Sequence, residues 1–127
     1  MHREVDLAWA GGFFEGEGSV TMHGTRFAAE IRNNNADALA RFRSCVEAGR
    51  IYGPYTDPSR RSLKPFWVWL SHDGEAIHVM SSVAPWLTER RLLQLEVTLA
   101  RVTGHWSVQA EETADWVRRV RRGKGPG

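Results

Sequence analysis

Two carboxylates close a segment built almost wholly of small and apolar residues, Ala10-Gly11-Gly12-Phe13-Phe14-Glu15-Gly16-Glu17-Gly18. From Val5 to Gly16 the chain reads as a helix that is apolar nearly all round and must be buried on both sides. Ala8, Gly12 and Gly16 recur every four residues and leave a stripe along which a second helix backbone can approach. Each glycine costs a helix about 1 kcal/mol against alanine, so these glycines need a packing reason. A helix-to-helix contact supplies one. If two copies cross along these faces, their Glu17 side chains meet near a two-fold axis, where the helix C-termini add partial negative charge. Two carboxylates at close range cannot both ionise unless positive charge intervenes. A divalent cation is the natural remedy, and Mg²⁺ takes one or two carboxylates together with substrate phosphates and water. Such a site can activate water for phosphodiester hydrolysis and steady the leaving oxygen. Without that crossing, Glu15 and Glu17 are simply solvated acids after a buried helix. Being two residues apart they do not face each other, which argues against a glycosidase-like pair within one chain.

Other chemistries find less support. The five histidines show no HExxH or Cys/His ligand spacing, and the glycines fit neither GxGxxG nor GxxxxGK. Cys45, the single cysteine, closes no intramolecular disulfide and builds no Cys-rich zinc site, so a cytoplasmic location is expected. Glu4 and Asp6 precede the apolar stretch Leu7 to Phe14, where a signal peptide wants positive charge, and no membrane-spanning segment is expected. With 127 residues, 42% hydrophobic and 25% charged, the chain is expected to form one globular domain over residues 1–127.

A net charge of +2 does not announce a nucleic-acid binder, but its distribution is informative. Residues 118–124 hold five basic side chains, whereas residues 1–117 carry 12 basic against 15 acidic ones. Between Arg50 and His72 stand Arg50, Arg60, Arg61 and Lys64 against Asp57 alone. Arginine outnumbers lysine 15 to 2, which suits forked contacts to phosphate and guanine, or equally reflects a GC-rich genome.

The elements that must position these groups follow from periodicity. Ser19 to His23 alternates, Gly24-Thr25 reads as a turn, and Arg26 to Asn34 alternates again, with Phe27, Ala29 and Ile31 on the core face and Arg26, Glu30 and Arg32 on the open one. Asn35 is a good N-cap for a helix from Ala36 to Ala48. A second strand pair is expected at Ile51 to Tyr55 and Phe66 to Ser71, with Trp67 and Trp69 favoured as core. Helices follow at Gly74 to Val83 with Asp73 as cap, at about Thr88 to Val102, and at 107–120 with Ser107 as cap, running into a basic tail at 118–127 that is expected to be solvated. The order predicts an α+β domain whose antiparallel sheet has helices on one face.

The run Leu7-Ala8-Trp9-Ala10-Gly11-Gly12-Phe13-Phe14-Glu15-Gly16-Glu17-Gly18-Ser19-Val20 resembles the signature of the LAGLIDADG homing endonucleases, in the form ending acid, Gly, acid, Gly, Ser. The order of elements resembles that family's αββαββα core over about residues 5–102, followed here by an extra C-terminal helix. Phe66-Trp67-Val68-Trp69 and Ala84-Pro85-Trp86-Leu87-Thr88-Glu89-Arg90-Arg91 are similar to its fourth strand and late helix entry. The resemblance implies a site-specific double-strand DNA endonuclease that acts with a divalent metal, Mg²⁺, as a homodimer on a pseudo-palindromic DNA site. It places Ala8, Gly12 and Gly16 at the dimer interface and Glu17 as the metal-binding acid, with carbonyls of Gly16 or Gly18 as further ligands. It makes Asn33 the polar residue that positions water or phosphate. Arg90 falls where the family usually has a lysine near the scissile phosphate, and arginine is a poorer proton shuttle. On this reading Thr21, His23, Arg26, Glu30 and Arg32 read base edges, while Arg50, Arg60, Arg61 and Lys64 reach bases or phosphates, and Val68 and Leu70, if outward, meet thymine methyl groups. The resemblance also implies an intracellular, nucleoid-associated protein carried by a mobile element or phage. The rival readings are a non-cleaving DNA- or RNA-binding module on the same fold and an unrelated interaction domain with a tight helix dimer.

Overall fold

The structure, a computed structural model, describes residues 3–59 and 64–124. The apolar helix α1 spans Glu4–Glu17, and Gly18 ends it in extended conformation while its amide still donates to the Phe14 carbonyl. The chain then turns directly into β1 (Gly18–His23) and β2 (Arg26–Asn33). Asn35 caps α2 (Ala36–Val46), its Oδ1 accepting from the Ala38 amide at 3.1 Å. That helix stops two residues short of the expected Ala48, because Glu47 takes the left-handed conformation at φ 54°.

Strands β3 (Arg50–Tyr55) and β4 (Phe66–His72) join the first hairpin through β2–β4 pairing, giving one antiparallel sheet in the order β1-β2-β4-β3. The register sets Glu30 against Leu70 and Arg32 against Val68, so these four share a face, with Trp69 and Ile31 on the other. The core fills that other face: Phe14, Phe27, Ile31, Phe42 and Trp69 are fully buried together with Ile77, Met80, Leu92 and Leu95 from the later helices. Trp69 is buried as expected and its indole Nε1 donates to the Ala48 carbonyl at 2.9 Å, while Trp67 is only partly covered.

Helix α3 runs Asp73–Val83 and α4 Glu89–Leu99, separated by a short 3-10 turn at Ala84–Trp86. Two capping expectations need correction. Asp73 is the first residue of α3 and not its cap; its carboxylate is held by Arg26 Nε at 3.0 Å. Ser107 likewise begins α5 (Ser107–Gly123), and its hydroxyl donates back to the Gly104 carbonyl at 2.7 Å. The basic end of α5 is not merely solvated, because Arg118 and Arg121 converge on the buried Glu96 carboxylate and tie α5 to α4. No helix among the described residues is long and apolar enough to cross a membrane.

Candidate active site and DNA-facing surface

Only half of α1 is packed against its own chain. Ala10, Gly11 and Phe14 are buried, whereas Gly12, Gly16 and Glu17 are exposed, Ala8 is half-buried and Val5 is 69% exposed. The expectation of burial on both sides therefore fails within one protomer. Nothing lies within 4 Å of where a Cβ would stand at Gly12 or Gly16. Gly12 and Gly16 thus form an open strip of helix backbone leading to Glu17, with the half-buried Ala8 at its far end.

The two acids at its end have separate fates. Glu15 reaches the start of α4: its Oε1 accepts from the Thr88 amide at 2.8 Å and its Oε2 from the Thr88 hydroxyl at 3.0 Å. There it meets the unsatisfied N–H groups and positive dipole of a helix N-terminus. Glu17 makes no hydrogen bond or ion pair among the described residues and stays exposed. Of the two carboxylates it alone is available to an outside partner.

The β1–β2 register, Gly18 against Ile31, brings Glu17 and Asn33 to the same end of the sheet. Asn33 uses its Oδ1 to accept from the Asn35 amide at 2.8 Å, shaping the turn into α2 and leaving its Nδ2 as the free end. Arg90 lies beyond Thr88 on α4, exposed and without a partner among the described residues. It lines an open cleft of about 470 Å³ with Glu15, Arg91 and Gln94. Arg91, which the sequence reading passed over, is the better anchored: it donates to the Glu15 carbonyl at 3.0 Å and its guanidinium stands 5.7 Å from the Phe14 ring centroid. Its one sequence signal is the three-residue spacing from the cap Thr88, whose hydroxyl accepts from the Arg91 amide.

No group of three or more His, Cys, Asp or Glu side chains able to hold a metal ion occurs among the described residues. At the end of α1 a single chain thus offers one carboxylate without a partner among the described residues, together with the backbone carbonyls there. That donor set is hard oxygen, which fits Mg²⁺ or Ca²⁺, but it is too small for either unless a second copy and a phosphate complete it.

The face of the sheet away from the helices carries Thr21, His23, Arg26, Glu30, Arg32 and Arg50 in one surface, with Lys64 exposed at the entrance to β4. Arg60 and Arg61 lie outside the described residues. Two of the expected base readers are already engaged: Arg26 with Asp73, and His23 with His72, whose Nε2 lies 3.4 Å from His23 Nδ1. Burial, and then the neighbouring Arg26 and His23, hold the His72 imidazole below its usual pKa against the opposing pull of Asp73 and Glu30. Arg32 stacks over Phe66, 5.3 Å from the ring centroid, and Arg50 makes no pairing among the described residues. Periodicity missed the aromatic part of this face, formed by Tyr52, Tyr55 and Phe66, because β3 breaks its register between Tyr52 and Tyr55.

No family model matches the chain, and no curated protein matches it. Solved structures do. The chain is similar to the homing endonuclease I-CvuI in complex with an I-CreI target in 2 mM Mg with the DNA not cleaved: TM-score 0.54, 12% identity, covering 98% of this chain and 97% of that one. A second structure of I-CvuI, with its own target in the presence of 2 mM Ca, matches with TM-score 0.52 and 12% identity over 97% of this chain and 96% of that one. The archaeal intron-encoded homing endonuclease I-Vdi141I complexed with DNA matches with TM-score 0.50 and 11% identity over 94% of this chain and 99% of that one. These neighbours are LAGLIDADG homing endonucleases, and the present chain has their fold.

Proposed function

We propose that this chain is one subunit of a homodimeric, divalent-metal-dependent endonuclease that cuts both strands of a pseudo-palindromic duplex. One observation carries the reading: the open strip at Gly12 and Gly16, in line with Ala8, ends in a carboxylate that no described residue engages. Glycine at exposed helix positions is unfavourable by about 1 kcal/mol each unless something must come close. A second copy of α1 crossing there brings its own Glu17 to the same place.

In that arrangement the paired Glu17 carboxylates, with carbonyls of Gly16 or Gly18, would hold the divalent cations. When bound, these supply an activated water and charge stabilisation for the departing oxygen. The remaining work falls to the chain's own groups. Asn33 Nδ2 donates to a water or phosphate oxygen beside Glu17. Arg90, permanently charged, neutralises the phosphate but hands over no proton, so the leaving oxygen takes its proton from solvent. Glu15 and Arg91 touch neither water nor phosphate in this scheme; they lock α4 to α1 and so position Arg90. The sheet's open face lies in the major groove, whose width accepts a β-ribbon.

Glu17→Gln tests this. The wild type is expected to linearise a plasmid carrying a site selected from random duplexes, with Mg²⁺ present. The variant should bind that site within about threefold of the wild type and cut at least about a hundredfold more slowly, since loss of a main electrostatic group costs about 10²–10³. Specific binding by the wild type with no nicking would instead favour a non-cleaving DNA-binding module.

A further inference from the structure

The open sheet face is chemically divided. At the hairpin end it is polar, with His23, His72 and the Arg26–Asp73 pair. At the other end lies a shallow cleft of about 370 Å³ lined chiefly by Tyr52, Tyr55, Phe66, Val68 and Leu70, with Glu30 and Arg32 on its wall. Tyr52 and Tyr55 remain 43% and 45% exposed. A surface that met only phosphates would have no use for this apolar end, since phosphate contacts come from charged and hydrogen-bonding groups. The pairing is specific: across the strands Val68 stands between Arg32 and Tyr52, and Leu70 between Glu30 and Arg50. Each apolar side chain thus has a neighbour able to read a base edge, arginine toward guanine O6 and N7 or glutamate toward cytosine N4. In the major groove the one apolar group offered by DNA is a methyl on pyrimidine C5. Arg32 and Arg50 supply the charge that brings the duplex to the cleft.

We propose that this cleft is a specificity shelf that selects pyrimidine C5-methyl groups in each half-site, Val68 and Leu70 forming its floor and Tyr52 and Phe66 its sides. The proposal rests on the reading of the open face as DNA-bound. Its volume is roughly ten times what a water molecule takes up in the liquid, about 30 Å³. It therefore accepts adjoining base edges and not a single group. Burying one methyl is worth about fourfold in affinity.

The test uses the full chain with Ca²⁺ and duplexes selected from a random library. Selected sites should carry thymine at one or two fixed positions per half-site. Replacing those thymines by deoxyuridine, which removes the methyl and keeps every hydrogen-bonding atom, should weaken binding about fourfold per methyl, while the same exchange elsewhere changes nothing. Putting cytosine at those positions and then 5-methylcytosine separates the two sources of the group: recovery with the methylated base shows that the methyl is read, and no recovery assigns the preference to thymine's carbonyl and overturns the proposal. Val68→Thr keeps the shape of the side chain but puts a hydroxyl in place of one methyl, and should shrink the thymine–uracil difference at the position it faces, its folding checked by the urea midpoint. Sequence-specific binding that ignores uracil at every position overturns this proposal and leaves the endonuclease reading standing. Absence of any salt-dependent DNA binding overturns both. If Val68→Thr alters only the oligomeric mass, the shelf belongs to a protein contact, and the proposal again fails.

Discussion

Helix α1 and its C-cap hold glycines of two kinds, and the difference separates what folds the protomer from what the proposed dimer needs. A Cβ on Gly11 would stand 2.7 Å from the Trp86 Cβ, and one on Gly18 would stand 2.5 Å from the Phe14 ring. These positions are glycine because the chain itself leaves no room. At Gly12 and Gly16 there is room in plenty, so it is the proposed dimer, and not the protomer, that calls for a bare backbone. The neighbouring acids divide in the same way, Glu15 spent on Thr88 and Glu17 without a partner among the described residues. One side of a single helix is thus committed to folding, and the other is the side that the proposed dimer would use.

Filling the open side should have the largest effect. Gly12→Leu should leave the protomer folded but cost self-association about 1–3 kcal/mol for each copy's added side chain, as for other overpacked contacts. Sedimentation should show monomers where the wild type is dimeric, with cleavage lost in parallel. A dimer of undiminished strength would remove the reason for the open stripe.

Filling the packed side has a different consequence. Gly11→Ala should destabilise the fold by about 1–3 kcal/mol, because the Trp86 backbone must move. Gly12→Ala, measured on dilute protein where monomers prevail, should stabilise the fold by up to about 1 kcal/mol through helix propensity alone. Urea midpoints that move in the same direction for both would show the two glycines to be equivalent.

Thr88→Ala removes the cap of α4 together with one of Glu15's two donors, for a loss of about 1 kcal/mol. Because it also loosens the element carrying Arg90, cleavage should fall further than binding does. Equal losses in both would make the Glu15–Thr88 lock irrelevant to the site.

The smallest effect concerns the hairpin end of the sheet. His72 is held below the ordinary imidazole value near 6.5 by burial, Arg26 and His23, against Asp73 and Glu30. The unfolded chain therefore binds its proton first as pH falls. The stability this contributes is present above that value and is lost as pH drops through it toward the lower folded value. Urea midpoints should decline between pH 7 and pH 5, and His72→Asn should flatten the decline.

Much of this was legible in the residue pattern. Alternation assigned the strand faces, Phe27, Ala29 and Ile31 inward and Arg26, Glu30 and Arg32 outward, because a half-buried strand imposes its period directly. The stripe Ala8, Gly12, Gly16 showed itself because small residues at helical spacing have no local reason to exist. What escaped detection depends on partners distant along the chain. Glu15 meets Thr88, and Arg118 and Arg121 meet Glu96, through contacts that no periodicity encodes. Asn33 turned its carbonyl into the adjoining turn, and Asp73 gave up capping for Arg26. In each case a polar side chain had a local and a tertiary use, and only the fold decided between them.

The most direct test of the account is a crystal structure of the full chain with a selected duplex and Ca²⁺. It should show two protomers crossing at Gly12 and Gly16, with both Glu17 carboxylates about 2.3–2.6 Å from calcium beside the scissile phosphates. Glu17 side chains set on opposite sides of the assembly, or calcium held without them, would contradict it.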